Sequence, residues 1–221
     1  MIDSDSDPGS TTPADVLAFW FGTPPLQVRA EWFRKSDDFD ALVRQRFGPL
    51  VEQALAVGLP AAWHATVPAR LAQILVLDQF TRNIFRGTAR AFAGEAQALT
   101  VAQALVEDGG DLQLAPLHRW FAYLPLEHAE DVALQDDSVR LFGALAAGPS
   151  TGDESAATLA NALDNALANA LANALANALD YAQRHRDVIT RFGRFPHRNA
   201  ALGRSSTAEE LFWLQQPGSG F

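Results

Sequence analysis

The chain contains no cysteine. Disulfide cross-links and thiolate chemistry are therefore excluded. Lysine occurs once, and the other sixteen basic residues are arginine. Codon bias produces the same pattern, so that preference carries no functional weight. No run of about 18 apolar residues exists, and no transmembrane helix is expected. The N-terminal MIDSDSDPGSTTP is acidic and lacks the apolar stretch of a secretory signal. A disordered acidic tail over residues 1–12 and a cytoplasmic location are the expectations. The net charge of −9 is the wrong sign for general nucleic-acid binding, which needs a basic footprint. Neither a nucleic acid nor a membrane is expected as a partner. The period-two alternation of strands is missing as well.

What is present is core material and helix punctuation. In 221 residues the chain has 48% hydrophobic content, five Trp and fourteen Phe, enough for one domain with a sizeable core. The expected domain spans residues 13–217. Pro13 opens a short helix that ends at Gly22 and Pro24-Pro25. Ser36 and the acids after it cap a long amphipathic helix, with Phe39, Leu42, Val43, Phe47, Leu50 and Leu55 inward and a kink at Gly48-Pro49. Pro68 opens PARLAQILVLDQFTRNIF, and Gly94 to Glu107 forms the next helix. Pro116 starts another, in which Pro125 predicts a break or kink. Asp136 or Asp137 caps SVRLFGALAAG, a long helix covers about 155–192, and Thr207-x-x-Glu210 is a capping box before LFWL. The fold class is all-α, an array of eight or nine helices.

Residues 161–180, NALDNALANALANALANALD, are a tandem tetrapeptide inside a low-complexity segment over 150–180. A period of 4 is not 3.6. Each Leu lies about 40° further round than the last, so Leu159 to Leu179 sweep about 200°. No single straight stripe results. The segment reads as an extension of an existing helix rather than a coiled-coil seam or partner helix.

Three polar patches interrupt apolar surroundings. The first is the helix at 68–85, apolar on nearly every face yet carrying Asp78, Gln79, Arg82 and Asn83. Asp78 and Arg82 are i,i+4 neighbours, and Gln79, Arg82, Asn83 and Arg86 share one side. Buried charges there must be paired. They form either a packing lock or the floor of a polar pocket. The second patch, EHAEDVALQDD at 127–137, has five acids and no Arg or Lys. If it is helical, His128, Asp131 and Gln135 share a face, suited to acid–base work; as a metal signature the spacing is loose. The third is FGRFPHRN at 192–199 and its flanks. Residues 181–204 carry six Arg against the single acid Asp187. A helix C-terminus favours some of these cations. His197, Arg198, Asn199 and Arg204 need another reason: an anion site at the following helix N-terminus, or pairing with the acidic patch.

The words VLAFWFG, LDQFTRNIFRGTARAF, YLPLEHAEDVALQ and HRDVITRFGRFPHRNAALGRSSTAEELFWL resemble the bacterial DUF924 family over about residues 14–215, apart from the repeat. The resemblance implies an all-α fold of the tetratricopeptide-like superfamily. It supplies no activity and no cofactor. Its recurrent polar positions match Asp78, Gln79, Arg82, Asn83, His128, Glu130, Asp131, Gln135, His185, Arg194, His197, Arg198, Asn199 and Arg204. Where the family usually has Met-His-Ser-Glu-Asp, this chain has Glu127-His128-Ala129-Glu130-Asp131, so a Ser hydroxyl is lost.

Three functional readings follow. In the first, the patches converge on a small anionic ligand. His128, Glu130, Asp131 and His197 are then the proton-handling candidates, with the other ten matched positions binding ligand, for hydrolysis or group transfer. In the second, the Arg-rich loop meets an acidic segment of a protein partner. In the third, the polar residues are only a conformational lock.

Overall fold

The computed structural model describes residues 11–148 and 161–220. All regular structure among them is helical: eight helices joined by short loops and 3-10 turns. They are α1 (Pro13–Phe21), α2 (Asp37–Val57), α3, α4 (Glu95–Glu107), α5 (Pro116–Glu127), α6 (Val132–Ala147), α7 (Asn161–Phe192) and α8 (Ala208–Leu214). Helix α3 runs from Val67–Ile74 through a π-turn, Leu75–Phe80, into Thr81–Ile84. Most of the expected tail at 1–12 and the expected helix start near 155 lie outside the described residues. None of the described helices is long and apolar enough to cross a membrane.

The starts obey their capping signals. Thr12 and Asp15 form a capping box on α1, Ser36 accepts from the Phe39 N–H, and Thr66 accepts from the Ala69 N–H. Thr207 and Glu210 box α8 as their spacing predicts. Two points between α5 and α6 are settled by the structure. Of the break or kink expected at Pro125, the break is absent: α5 continues to Glu127. A single proline deprives only one upstream carbonyl of its partner, and in the last turn that loss is small. The cap of α6 is Asp131, whose Oδ1 accepts the Leu134 N–H at 3.0 Å. Asp136 and Asp137 lie inside the helix and pair with Arg186 and Arg140.

Helix α3 is the hub, in contact with α1, α2, α4 and α5. Its residues from Leu71 to Phe80 are almost all sealed from solvent. Around it Trp20, Phe47, Phe80 and Phe121 interlock, with ring centroids 4.7 Å apart for Phe47–Phe80 and 5.7 Å for Trp20–Phe121. Helix α2 faces this core with Phe39, Val43, Phe47, Leu50, Val51 and Ala54. Leu42 falls one step off that 3.6-residue stripe and is 46% exposed. Pro49 sits within α2 without ending it. Helix α7 packs along α6 and α5. Its repeat is exposed at Asn165, Ala166 and Ala168–Ala170, and enters the core only further on. Leu175, Ala178 and Ala182 are buried there, while Leu171, Ala174 and Leu179 pack at the margin. As the Leu stripe drifts, Ala takes over the core-facing position.

Candidate functional site

The π-turn is where α3 leaves regular geometry, and the polar cluster begins there. At its end the Thr81 hydroxyl donates back to the Leu77 carbonyl at 2.8 Å. Helix α4 starts against the same turn. A Cβ at Gly94 would lie 2.2 Å from the Leu77 carbonyl oxygen, so only glycine permits this approach. The next residue, Glu95, is thereby delivered beside Arg82.

Asp78 is fully buried. Its Oδ1 faces His128 Nδ1 at 2.8 Å and Arg82 Nε at 3.7 Å, and its Oδ2 accepts from Gln79 Nε2 at 2.6 Å. Burial works to raise its pKa, but the charges of His128 and Arg82 and the hydrogen bonds from His128 and Gln79 outweigh it, holding the carboxyl well below the usual carboxylate range. His128, at the C-terminal end of α5, is pushed down to about 4, by burial first and the Arg82 charge second. It is therefore neutral at pH 7, and Arg82 is the cation that sustains Asp78. A carboxylate can only accept, so Nδ1 of His128 carries the proton and Nε2 keeps its lone pair. This is a carboxylate-oriented imidazole, with the His128 side chain 13% exposed.

Two guanidinium groups flank it. Arg82 pairs with Glu95 Oε1, and Arg198 pairs with Glu95 Oε2 at 3.1 Å. Arg198 also donates to the His128 carbonyl at 3.0 Å. Both arginines lie over Phe92, at 5.4 and 4.9 Å from its centroid, and Arg198 stacks on Phe195 at 4.3 Å. Burial raises the pKa of Glu95, with Arg82 and Arg198 opposing. The Nε atoms of Arg82 and Arg198 are buried and make no hydrogen bond.

Behind His128 sits a second His–carboxylate pair. His185 Nδ1 donates to the Tyr181 carbonyl at 2.8 Å and lies 3.2 Å from Glu127 Oε1. Its ring centroid is 6.3 Å from that of His128. Burial, reinforced by Asp78, pushes Glu127 up to about 8, so it is mostly protonated at neutral pH. Gln135 spans the α5–α6 junction, its amide donating to the carbonyls of Glu127 and Ala129 at 2.6 and 2.8 Å.

The 194–204 loop is held by an outer network. Glu130 accepts from the Phe195 N–H at 2.7 Å and pairs bidentately with Arg204 at 2.6 and 2.9 Å. Arg204 also donates to Asn199 Oδ1, and Asn199 reaches Ser206 Oγ and Glu210. Arg194 forks onto Glu210 at 2.6 and 2.8 Å. The N-terminus of α8 is thus occupied by the chain's own carboxylate. The cations crowded into 181–204 meet internal partners: Arg186 meets Asp136, Arg191 meets Glu209, Arg194 meets Glu210, Arg198 meets Glu95 and Arg204 meets Glu130. Only two of these partners belong to the acidic 127–137 patch.

The three patches do converge, with corrections. Asp78, Gln79, Arg82, His128 and Arg198 are in direct contact. His185 and Gln135 back them, while Glu130, Arg194, Asn199 and Arg204 secure the loop. His197 neighbours Phe195, ring centroids 5.6 Å apart, and burial next to Arg198 takes its pKa down to about 4. Asp131 is not in the site, because the chain turns between α5 and α6 and spends it as a helix cap. The expected common face of His128, Asp131 and Gln135 is lost with it. Asn83 is not in the site either: it donates to Asp40 at 2.6 Å, and Arg86 joins that pair. Beyond the π-turn, α3 turns this side toward α2 rather than α5. The sequence reading missed Glu95, Glu127 and Phe92. Glu127 and Phe92 lie within the quoted words, and Glu95 directly follows the helix-opening glycine. Among the described residues no group of three His, Asp or Glu is arranged to hold a metal ion.

Comparison with known proteins agrees with this architecture. No curated protein matches the sequence. A solved protein of unknown function from Agrobacterium tumefaciens is similar, with 33% sequence identity and a TM-score of 0.71, over 92% of this chain and 96% of that one. The sequence profile of the family described as bacterial protein of unknown function (DUF924) matches residues 16–218, nearly the whole chain. The chain belongs to the DUF924 family of bacterial proteins.

Proposed function

We propose that the cluster around Asp78, Arg82, Glu95, His128 and Arg198 binds a small molecule through an anionic group, carboxylate or phosphate, and acts on it by hydrolysis or group transfer. The observation that carries this reading is the pair of unspent donors. Arg82 and Arg198 each keep a buried Nε–H that makes no hydrogen bond: Arg82 Nε stands 3.7 Å from Asp78 Oδ1, and Glu95 engages only a terminal nitrogen of each guanidinium. Buried guanidinium donors left unmatched are costly, and an anionic oxygen is what they fit. His128 then has the form of a general base: Asp78 sets its tautomer, and Nε2 takes the proton from an attacking water or hydroxyl. Arg82 is the ligand-facing cation, with a side chain 22% exposed. Arg198, 3% exposed and clamped by Phe92, Phe195, Glu95 and the His128 carbonyl, holds the loop in place. Glu130 and His197 serve as supports, and Asp131 drops out.

Two other readings weaken. An acidic protein segment would need open cations, and the arginines of 186–204 are engaged internally. A pure lock leaves the Nε donors and the partly exposed His128 without a purpose.

The test is a thermal-shift screen of wild type and Arg82→Gln against phosphate esters and carboxylates. A ligand binding only the native state stabilises it, by about 2.7 kcal/mol at a hundredfold excess over its dissociation constant, and so raises the midpoint. A shift in wild type that vanishes in Arg82→Gln supports the reading. Shifts identical in both proteins remove Arg82 from the site.

A further inference from the structure

A cleft against the first half of α3 bears on a different chemistry. It has a volume of about 710 Å³ and lies between the end of α2, the start of α3 and the middle of α4. One wall is aliphatic, with Leu55 and Val57 from α2 and Val101 and Ala104 from α4. Val57 is 83% exposed. Gln73 of α3 also lines it. Gln73 is 6% exposed, and its Oε1 is buried with no hydrogen-bond partner. It sits among Leu71, Ala72 and Ile74, all sealed from solvent. A leucine at that position would remove an orphaned polar group from the core, so the retained amide calls for a partner.

We infer that this cleft binds a neutral amide next to an aliphatic side chain, as in a peptide unit, with Gln73 as its recognition group. A carboxamide offers one acceptor and two donors, and its two-point complement is another amide. Charge argues the same way: Arg70, the one arginine of the lining, is held by Asp108 at 2.6 Å. The exposed Val57 supplies the apolar contact for the side chain. The inference is independent of the Arg82–His128 site, which lies further along α3 beyond the π-turn.

The test uses the full 221-residue chain and N-acetyl-leucine N-methylamide as the probe, followed by amide NMR at millimolar concentration. Wild type is expected to show saturable shifts at residues 55–59, 70–73 and 97–104. Gln73→Leu is expected to lose about tenfold or more in affinity, the scale of one unmatched buried hydrogen bond. The same variant is expected to melt above wild type, because an orphan amide becomes a hydrocarbon. Val57→Asp changes an exposed position and keeps the fold whatever happens at Gln73; it should weaken the probe as well. Arg82→Gln should leave probe binding unchanged, which separates this site from the first. A blocked alanine–leucine pentapeptide that binds tighter than the single unit identifies a peptide segment as the occupant, and equal binding identifies a small amide. Absence of saturable shifts in wild type, or undiminished binding in both Gln73→Leu and Val57→Asp, overturns the inference.

Discussion

At the scale of single residues, the chemistry of the cluster is set by what surrounds two buried acids and one half-buried acid. Asp78 is held ionised, Glu127 is pushed up to about 8, and Glu95 is raised by burial while two arginines pull it down. Replacing Asp78 with Asn should remove the counter-charge of Arg82 and let the amide present either an acceptor or a donor to His128, so the tautomer is no longer set. Loss of one partner from a buried pair typically costs about 3–5 kcal/mol, readable as a shift in the urea midpoint. Glu127 predicts a pH effect of definite sign. Its folded pKa lies above the ordinary 4.5, so the native state binds the extra proton, and that stability is lost as pH rises from 4.5 through about 8. His128 works in the opposite direction. Its folded value of about 4 lies below 6.5, so its contribution is lost as pH falls from 6.5 through 4. Glu127→Gln, a fixed mimic of the protonated acid, should therefore flatten the alkaline side of the stability profile and leave the acid side in place. An unchanged alkaline slope in denaturation measured across pH would show that Glu127 ionises freely.

At the scale of elements, the π-turn of α3 and the glycine that docks on it build the site. Gly94→Ala places a methyl group against the Leu77 carbonyl and cannot be absorbed by a rotamer change. The backbones must separate, at a cost of about 1–3 kcal/mol, and Glu95 moves away from Arg82. Chemical denaturation measures the first effect. The repeat in α7 predicts the reverse, tolerance. Removing one Asn-Ala-Leu-Ala unit leaves a sequence identical to one shortened at the exposed 165–168 end. The core-facing register from Leu171 onward can then be kept, and the stability change should stay under about 1 kcal/mol. A larger loss would mean that the outer repeats are packed. Elements are also where sequence reading succeeded and failed most visibly. The Pro13 helix start, the capping box at Thr207, the Ser36 cap and the buried character of 68–85 were legible, because local side chains decide them. The turn at 128–131 was not. Pro125 looked like the break, yet the chain turns three residues later, where Asp131 can cap. The π-turn was equally hidden: no local residue pattern in 75–80 marks it.

At the scale of the whole molecule, the all-α class and the convergence of the three polar patches were readable from composition, punctuation and quoted words. The pairings were not. Asp78 to His128 spans fifty positions, Arg198 to Glu95 more than a hundred, and no local rule links them. The same distance explains why the Arg-rich loop looked open to a partner: its carboxylates come from α4, α6, α8 and the α5–α6 turn. This leaves one internal acid, Glu95, standing where an anionic ligand would sit. The most direct measurement is a calorimetric titration of wild type and Glu95→Gln with inorganic phosphate, in matched low-salt buffer. Removing the internal carboxylate frees Arg82 and Arg198, and the ligand-site account predicts binding at least about tenfold tighter in the variant, or about 1.4 kcal/mol. A folded Glu95→Gln variant that binds phosphate no better than wild type would contradict it, and would leave the cluster as a lock that holds the 194–204 loop against the helices.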